Sequence, residues 1–159
     1  MRLITRLGRN KINLYGKDSF TKSRVDSFLD VSLVFGALTQ PFLLSLNSNK
    51  KLQKATITAA ENAFVTYMNG IENSLKLNRT KFIISDNLSI ADICFFCEYM
   101  QFTLSTSRKP LVSNKYWFNI EKKHKKNYVK SYKLLERLIK NKNFKKVTYK
   151  TLKKYKYYD

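Results

Sequence analysis

The sequence predicts an all-α fold, a bundle of about five to seven helices, on three observations. Apolar residues recur at steps of three and four over several long stretches, which is the period of a helix face. The chain has only 4 Gly and 2 Pro, too few for the tight turns of an all-β fold. Its 43% hydrophobic content, with 11 Phe and 10 Tyr, suits a packed core despite the charge. At 159 residues the chain is about one domain and needs no staple to fold.

The organisation expected is a short helix and interdomain-type linker over 1–18, a helical bundle over 19–145, and a basic, frayed tail over 146–159. The first ten residues are basic, and their apolar stretch is too short for a secretory signal. Residues 1–17 lack acids, which leaves a transit peptide and a short helix ending near Gly8 as two readings. An extended link then runs through Leu14-Tyr15-Gly16-Lys17-Asp18.

A first long helix is expected over 20–46, with Val25, Phe28, Leu29, Ser32, Leu33, Phe35 and Gly36 on one face. Pro41 should kink it or start a new turn, because proline removes a backbone donor. Asn47-Ser48-Asn49 is a polar break. A second helix over 50–76 carries Leu52, Ala55, Ala59, Ala63, Tyr67, Ile71 and Leu75 at mostly four-residue steps. Two such helices joined by a short loop read as an antiparallel pair.

The sharpest local signal is Leu88-Ser89-Ile90-Ala91-Asp92-Ile93. Ser89 as N-cap accepts from the N–H of Asp92, Asp92 reaches back to the N–H of Ser89, and Leu88 packs on Ile93: a capping box with a hydrophobic staple. The helix entered this way, to about Phe102, is apolar nearly all round and belongs at the centre of a bundle. Ser105 to Pro110 is a loop. Tyr116-Trp117-Phe118 with Ile120 starts another helix, and Tyr128 to Lys140 is amphipathic. Asn141-Lys142-Asn143 breaks it before a last, frayed helix from Phe144 to about Tyr155. Lys81-Phe82-Ile83-Ile84 is too short for a strand. No apolar run approaches about 18 residues, so no membrane-spanning helix is expected.

The formal net charge is +20, but it is uneven: residues 1–107 carry 13 Lys/Arg and 8 Asp/Glu, and residues 108–159 carry 18 and 3. Lys outnumbers Arg 24 to 7, and Arg is the residue that forks onto guanine edges and phosphates. Solvated Lys faces in a compositionally biased chain are one reading; weak, non-specific binding to an anionic surface is the other. Two Cys make no disulfide framework, which points to a reduced, cytoplasmic protein.

The stretch Phe82 to Ile93 resembles the capping-box signature of the glutathione transferase superfamily, aromatic-aliphatic-x-Gly-Asp/Glu-x-aliphatic-Ser/Thr-aliphatic-Ala-Asp-Ile/Leu, with Ser85 in the place of Gly. Leu14 to Asp18 and Ser23 to Asp30 are similar to the interdomain link and first helix of the C-terminal domain in bacterial members. Leu134 to Phe144 resembles the late helix and the turn after it, with Asn143 where Pro is common.

The resemblance implies the helical, C-terminal half of such an enzyme, an orthogonal helical bundle. It implies an apolar electrophile site lined by Phe28, Ser32, Phe35 and Phe42, although core or dimer contacts explain the same residues. Glutathione would be the co-substrate, held by a thioredoxin-like domain to whose last helix only residues 1–10 could correspond. No residue of the sequence inherits the catalytic Tyr, Ser or Cys, so little transferase activity is expected of the chain alone. Expected partners are a second copy or the thioredoxin-like domain. A protein-interaction scaffold of the translation-associated type and a truncated, non-functional remnant are the alternatives.

Other chemistry is thin. Cys94 and Cys97 stand three apart on a helix and read as buried structural thiols, since a zinc site needs two more ligands and His124 is the only His. His124, among lysines, reads as solvated and without a partner for base catalysis. Asp26, Asp30, Glu61 and Asp92 read as capping and surface groups, and no metal site is expected.

Overall fold

The computed structural model describes residues 13–46, 53–104 and 115–154. Expectations for the first ten residues, the Asn47 break, Leu52, the 105–110 loop and the last five residues lie outside them. So do the side chains of Tyr116, Trp117 and Phe118.

Among the described residues the chain is all-helical, with six α-helices and no strand. They are α1 (Ser19–Leu46), α2 (Lys54–Asn78), α3 (Ile90–Leu104), α4 (Lys115–His124), α5 (Val129–Lys140) and α6 (Lys142–Lys154), with a 3-10 turn, Lys125–Asn127, before α5. Helix α1 packs on α2 and α3, and α2 also packs on α5.

Asp18 starts α1. Its carboxylate accepts the Thr21 N–H at 2.8 Å and the Thr21 hydroxyl at 2.7 Å, which satisfies a donor the first turn would leave orphaned. Gly16 precedes it at φ +98, where a Cβ would lie 2.5 Å from Thr21 Cγ2, so the turn demands glycine. The helix assignment runs unbroken through Pro41.

The buried face of α2 is Ala60, Ala63, Phe64, Tyr67, Met68, Ile71, Glu72 and Leu75, while Ala55 and Ala59 are exposed. A ladder of strict four-residue steps drifts about 40° per step around a 3.6-residue helix, so its early members leave the core face. One edge of α3 also leaves the core: Cys94 is buried, but Cys97, about 60° around the helix from it, and Gln101 are exposed. The expectation of two buried thiols therefore fails for Cys97.

Aromatic rings fill the space between α1, α2 and α3. Phe102 lies 5.3 Å from Phe64, 5.7 Å from Phe35 and 6.0 Å from Phe42, centroid to centroid. Phe35 stacks on Tyr67 at 4.3 Å and 6°. Gly36 lets α3 come close, since a Cβ there would sit 3.3 Å from Glu98 Oε2.

Between α2 and α3 the chain forms no strand, as expected, and is fixed by side chains instead. Ser74 Oγ donates to the Ile83 carbonyl at 2.8 Å, Lys81 N–H to Asp86 at 2.9 Å, and Arg24 to the Ile84 carbonyl at 3.3 Å. The Ile90 N–H donates to the Leu14 carbonyl at 2.8 Å, which ties the link before α1 to the start of α3.

The capping box is rearranged. Asp92 does reach back to the Ser89 N–H, at 2.8 Å. The Ser89 hydroxyl, however, donates to the same carboxylate oxygen at 2.7 Å instead of accepting the Asp92 N–H. The other carboxylate oxygen accepts the Ile83 N–H at 2.8 Å. Leu88 packs partly buried on the core, and Ile93 is half-buried.

Asn141 is the whole of the break after α5. Its side-chain oxygen Oδ1 accepts the Asn143 N–H at 3.0 Å, so α6 starts at Lys142 and not at Phe144. Phe144 meets Phe96 edge-on at 5.1 Å. Helix α6 continues past residue 146 as one element.

Candidate functional site

The four residues singled out for an electrophile site lie along α1. Ser32, Phe35 and Phe42 are buried in the core. The Ser32 hydroxyl is 2.8 Å from the Tyr67 hydroxyl, so each satisfies the other inside the bundle. Burial pushes the Tyr67 phenol far above its usual value, against the Ser32 hydrogen bond, and it stays neutral.

Phe28 is the one of the four that reaches an opening. With Val31, Tyr67, Gly70 and Ile83 it lines an apolar groove of about 270 Å³ between α1, α2 and the loop before α3. Arg24 stands at its rim. Gly70 lines the groove, and a Cβ there would meet nothing within 4 Å. The groove can hold a small aromatic or aliphatic group. Its polar members are bound to each other or to backbone, as with Arg24 on the Ile84 carbonyl, which suits binding and orientation.

A larger polar groove of about 710 Å³ runs beside the start of α1, lined by Asn13, Tyr15, Lys22, Asp26 and Asp30 among others. The Tyr15 hydroxyl donates to Asp26, so Asp26 anchors the link to α1.

Of the capping residues Leu88, Ser89, Asp92 and Ile93, it is Asp92 that supports the apolar groove, because it holds Ile83 in the wall, and Ser89 binds the same carboxylate. Burial raises the Asp92 carboxyl above its usual range, opposed by the Ile83 and Ser89 hydrogen bonds.

Two groupings escaped the sequence. His124 is not solvated: its side chain is 16% exposed, and Nε2 lies 2.7 Å from Glu61 Oε1. Lys123 Nζ reaches the same oxygen at 2.7 Å, and these two hydrogen bonds hold the Glu61 carboxyl below its usual range. The partners are 63 residues apart, and no local pattern could have joined them. Likewise Tyr99 and Tyr132 both donate to Glu121, the second at 2.9 Å.

At 28 residues α1 is long and apolar enough to cross a membrane by length and composition, a test that the core helix of a bundle also passes. Counting unbroken apolar runs missed this, because residues 31–46 mix small polar residues with apolar ones and carry no charge. Its inner face is core, and its outer face exposes Val31, Leu33, Val34, Leu38 and Leu44.

No family model, curated protein or solved structure matches the chain.

Proposed function

We propose that the chain is a glutathione transferase-like helical domain of the orthogonal-bundle type, which contributes an apolar site for the electrophile. What supports the reading is the groove beside Phe28, walled by a loop that Asp92 and Ser89 hold at the residues carrying the family resemblance. In such an enzyme, glutathione thiolate attacks an electrophile held in an apolar cleft, and the thiolate is supplied by a thioredoxin-like domain with its own glutathione site. The part of these residues is to bind and orient the electrophile. Phe28 and Tyr67 offer ring faces, and Gly70 leaves room for the substituent.

The test is equilibrium binding of a dinitrophenyl-type aromatic ligand, read by quenching of intrinsic fluorescence. Saturable binding is expected, and Gly70→Leu, which fills the groove from an open position, should abolish it while the melting temperature holds. Absence of saturable binding, or binding indifferent to Gly70→Leu, overturns the reading.

A second reading has its own observation. Over residues 31–46, which carry no charge, the outer face of α1 exposes Leu33 to 73% and Leu44 to 63%, and contiguous exposed apolar surface of this kind marks interaction sites. It suits a dimer contact of the same domain or a scaffold module. Sedimentation of the wild type against Leu33→Glu tests it: a concentration-dependent assembly lost in the variant supports it, and a monomer in both overturns it.

A further inference from the structure

We propose that the outer face of α5 and α6 binds the phosphodiester backbone of nucleic acid without reading its sequence. Residues 125–154 contain 12 Lys/Arg and a single acid, Glu136. The charge is also ordered. Lys130, Lys133, Arg137 and Lys140 follow one another at steps of three and four, which places them on one side of α5. All four are exposed, while Leu134, Leu135 and Leu138 of the same helix are buried.

Glu72 fixes this stripe from inside. It accepts the Lys130 N–H at 3.2 Å and the Ser131 N–H at 2.9 Å, so the start of α5 is pinned to α2 and the lysines face outward by necessity. Arg137 pins the far end of the stripe: it donates to the Lys81 carbonyl, and its guanidinium lies 5.7 Å from the Phe82 ring. Lys133, Arg137 and Lys140 line an open groove of about 510 Å³ with Glu136 and Asn141.

After Asn141 the pattern resumes, with Lys142, Lys145 and Lys146 exposed on α6 while Phe144 packs inward on Phe96. From Lys130 to Lys140 the stripe spans about 15 Å of helix. Over that length one strand of a duplex presents about four phosphates.

The shape favours a linear polyanion over a lipid surface. A helix that lies in a membrane interface needs large apolar side chains beside its cations. Among the described side chains of α5 and α6 the exposed apolar ones are only Val129 and Val147. Lys meets phosphate as a point charge and lacks the fork that reads guanine edges, so the preponderance of Lys over Arg argues against base recognition.

The experiment is fluorescence anisotropy of a labelled mixed-sequence 25-base-pair duplex with the full chain across a salt series. Log affinity should fall with log salt at a slope of about −4 or steeper. Lys130→Gln with Lys133→Gln and Lys140→Gln should lose at least tenfold in affinity at the lowest salt and flatten the slope by about three. Lys17→Gln with Lys22→Gln and Lys54→Gln removes the same charge elsewhere and should keep the slope. Circular dichroism checks the folding of both. Should the first set unfold, Lys142→Gln with Lys145→Gln and Lys146→Gln replaces it, with the same losses expected.

No binding at the lowest salt overturns the proposal, as do equal losses in the two sets. So does capture by phosphatidylserine–phosphatidylcholine vesicles without binding of the duplex.

Discussion

The Asp92 carboxylate accepts the Ile83 backbone N–H at 2.8 Å, and its second oxygen takes the Ser89 N–H and hydroxyl. One side chain thus caps α3 and holds the wall of the apolar groove. Asp92→Ala leaves the Ile83 N–H, itself buried, without an acceptor and should cost about 3–4 kcal/mol in urea unfolding. Asp92→Asn keeps the size but turns a donor toward one of these N–H groups.

Burial raises the folded-state value of Asp92, so the folded chain holds that proton more tightly than the unfolded one. Stability should therefore fall as pH rises from the usual carboxylate value to the raised one, and stay level above it. Asp92→Asn removes this slope. A wild type with no such slope relative to the variant overturns the assignment.

Glu72 works with the opposite sign. Burial would raise it, but the hydrogen bonds from Ser131 and Lys130, with Lys76 at 3.3 Å, outweigh burial and leave it below its usual range. Its stabilisation is present above the unfolded-state value and is lost as pH falls through the lowered folded-state one. Glu72→Gln should cost about 2 kcal/mol at neutral pH. The gap between variant and wild type should close in acid. A gap that persists there would place the cost in packing and not in charge.

The local structure was legible because its causes are local. Asp92 finds Ser89 three residues away, and that spacing is what marks the capping box; the Asp18 cap on Thr21 is as local, but Asp18 reads from the sequence only as part of the extended link. The apolar period likewise gave the helices to within a few residues, except that α2 begins at Lys54 and α6 at Lys142. Contacts across the bundle left no such trace. Glu72 caps a helix 59 residues away, and Glu61 meets His124 at 63. The groove brings together Phe28 of α1, Gly70 of α2 and Ile83 of the loop before α3, and nothing in any of these segments alone announces that.

Gly16 should tolerate no side chain. At φ +98 any L residue is strained, and a Cβ would lie 2.9 Å from Thr21 Cβ as well as close to its methyl. Gly16→Ala is expected to lower stability by about 1–3 kcal/mol. Thr21→Ser removes the methyl and should recover part of that loss in the double variant, since the clash goes while the hydroxyl to Asp18 remains. Full additivity of the two changes would mean that the backbone alone carries the cost.

Cys97 is exposed and Cys94 is buried, so a thiol reagent should distinguish them. Burial raises both thiols, and Glu98 next to Cys97 adds to the effect, so neither is a ready thiolate at neutral pH. The native chain should show one reacting thiol, slower than a free cysteine at the same pH, with the second appearing only on unfolding. Cys97→Ser should leave no thiol that reacts in the native state. Two thiols reacting at one rate would mean that α3 opens on the time scale of the reagent and is not the fixed centre that its packing against α1 implies.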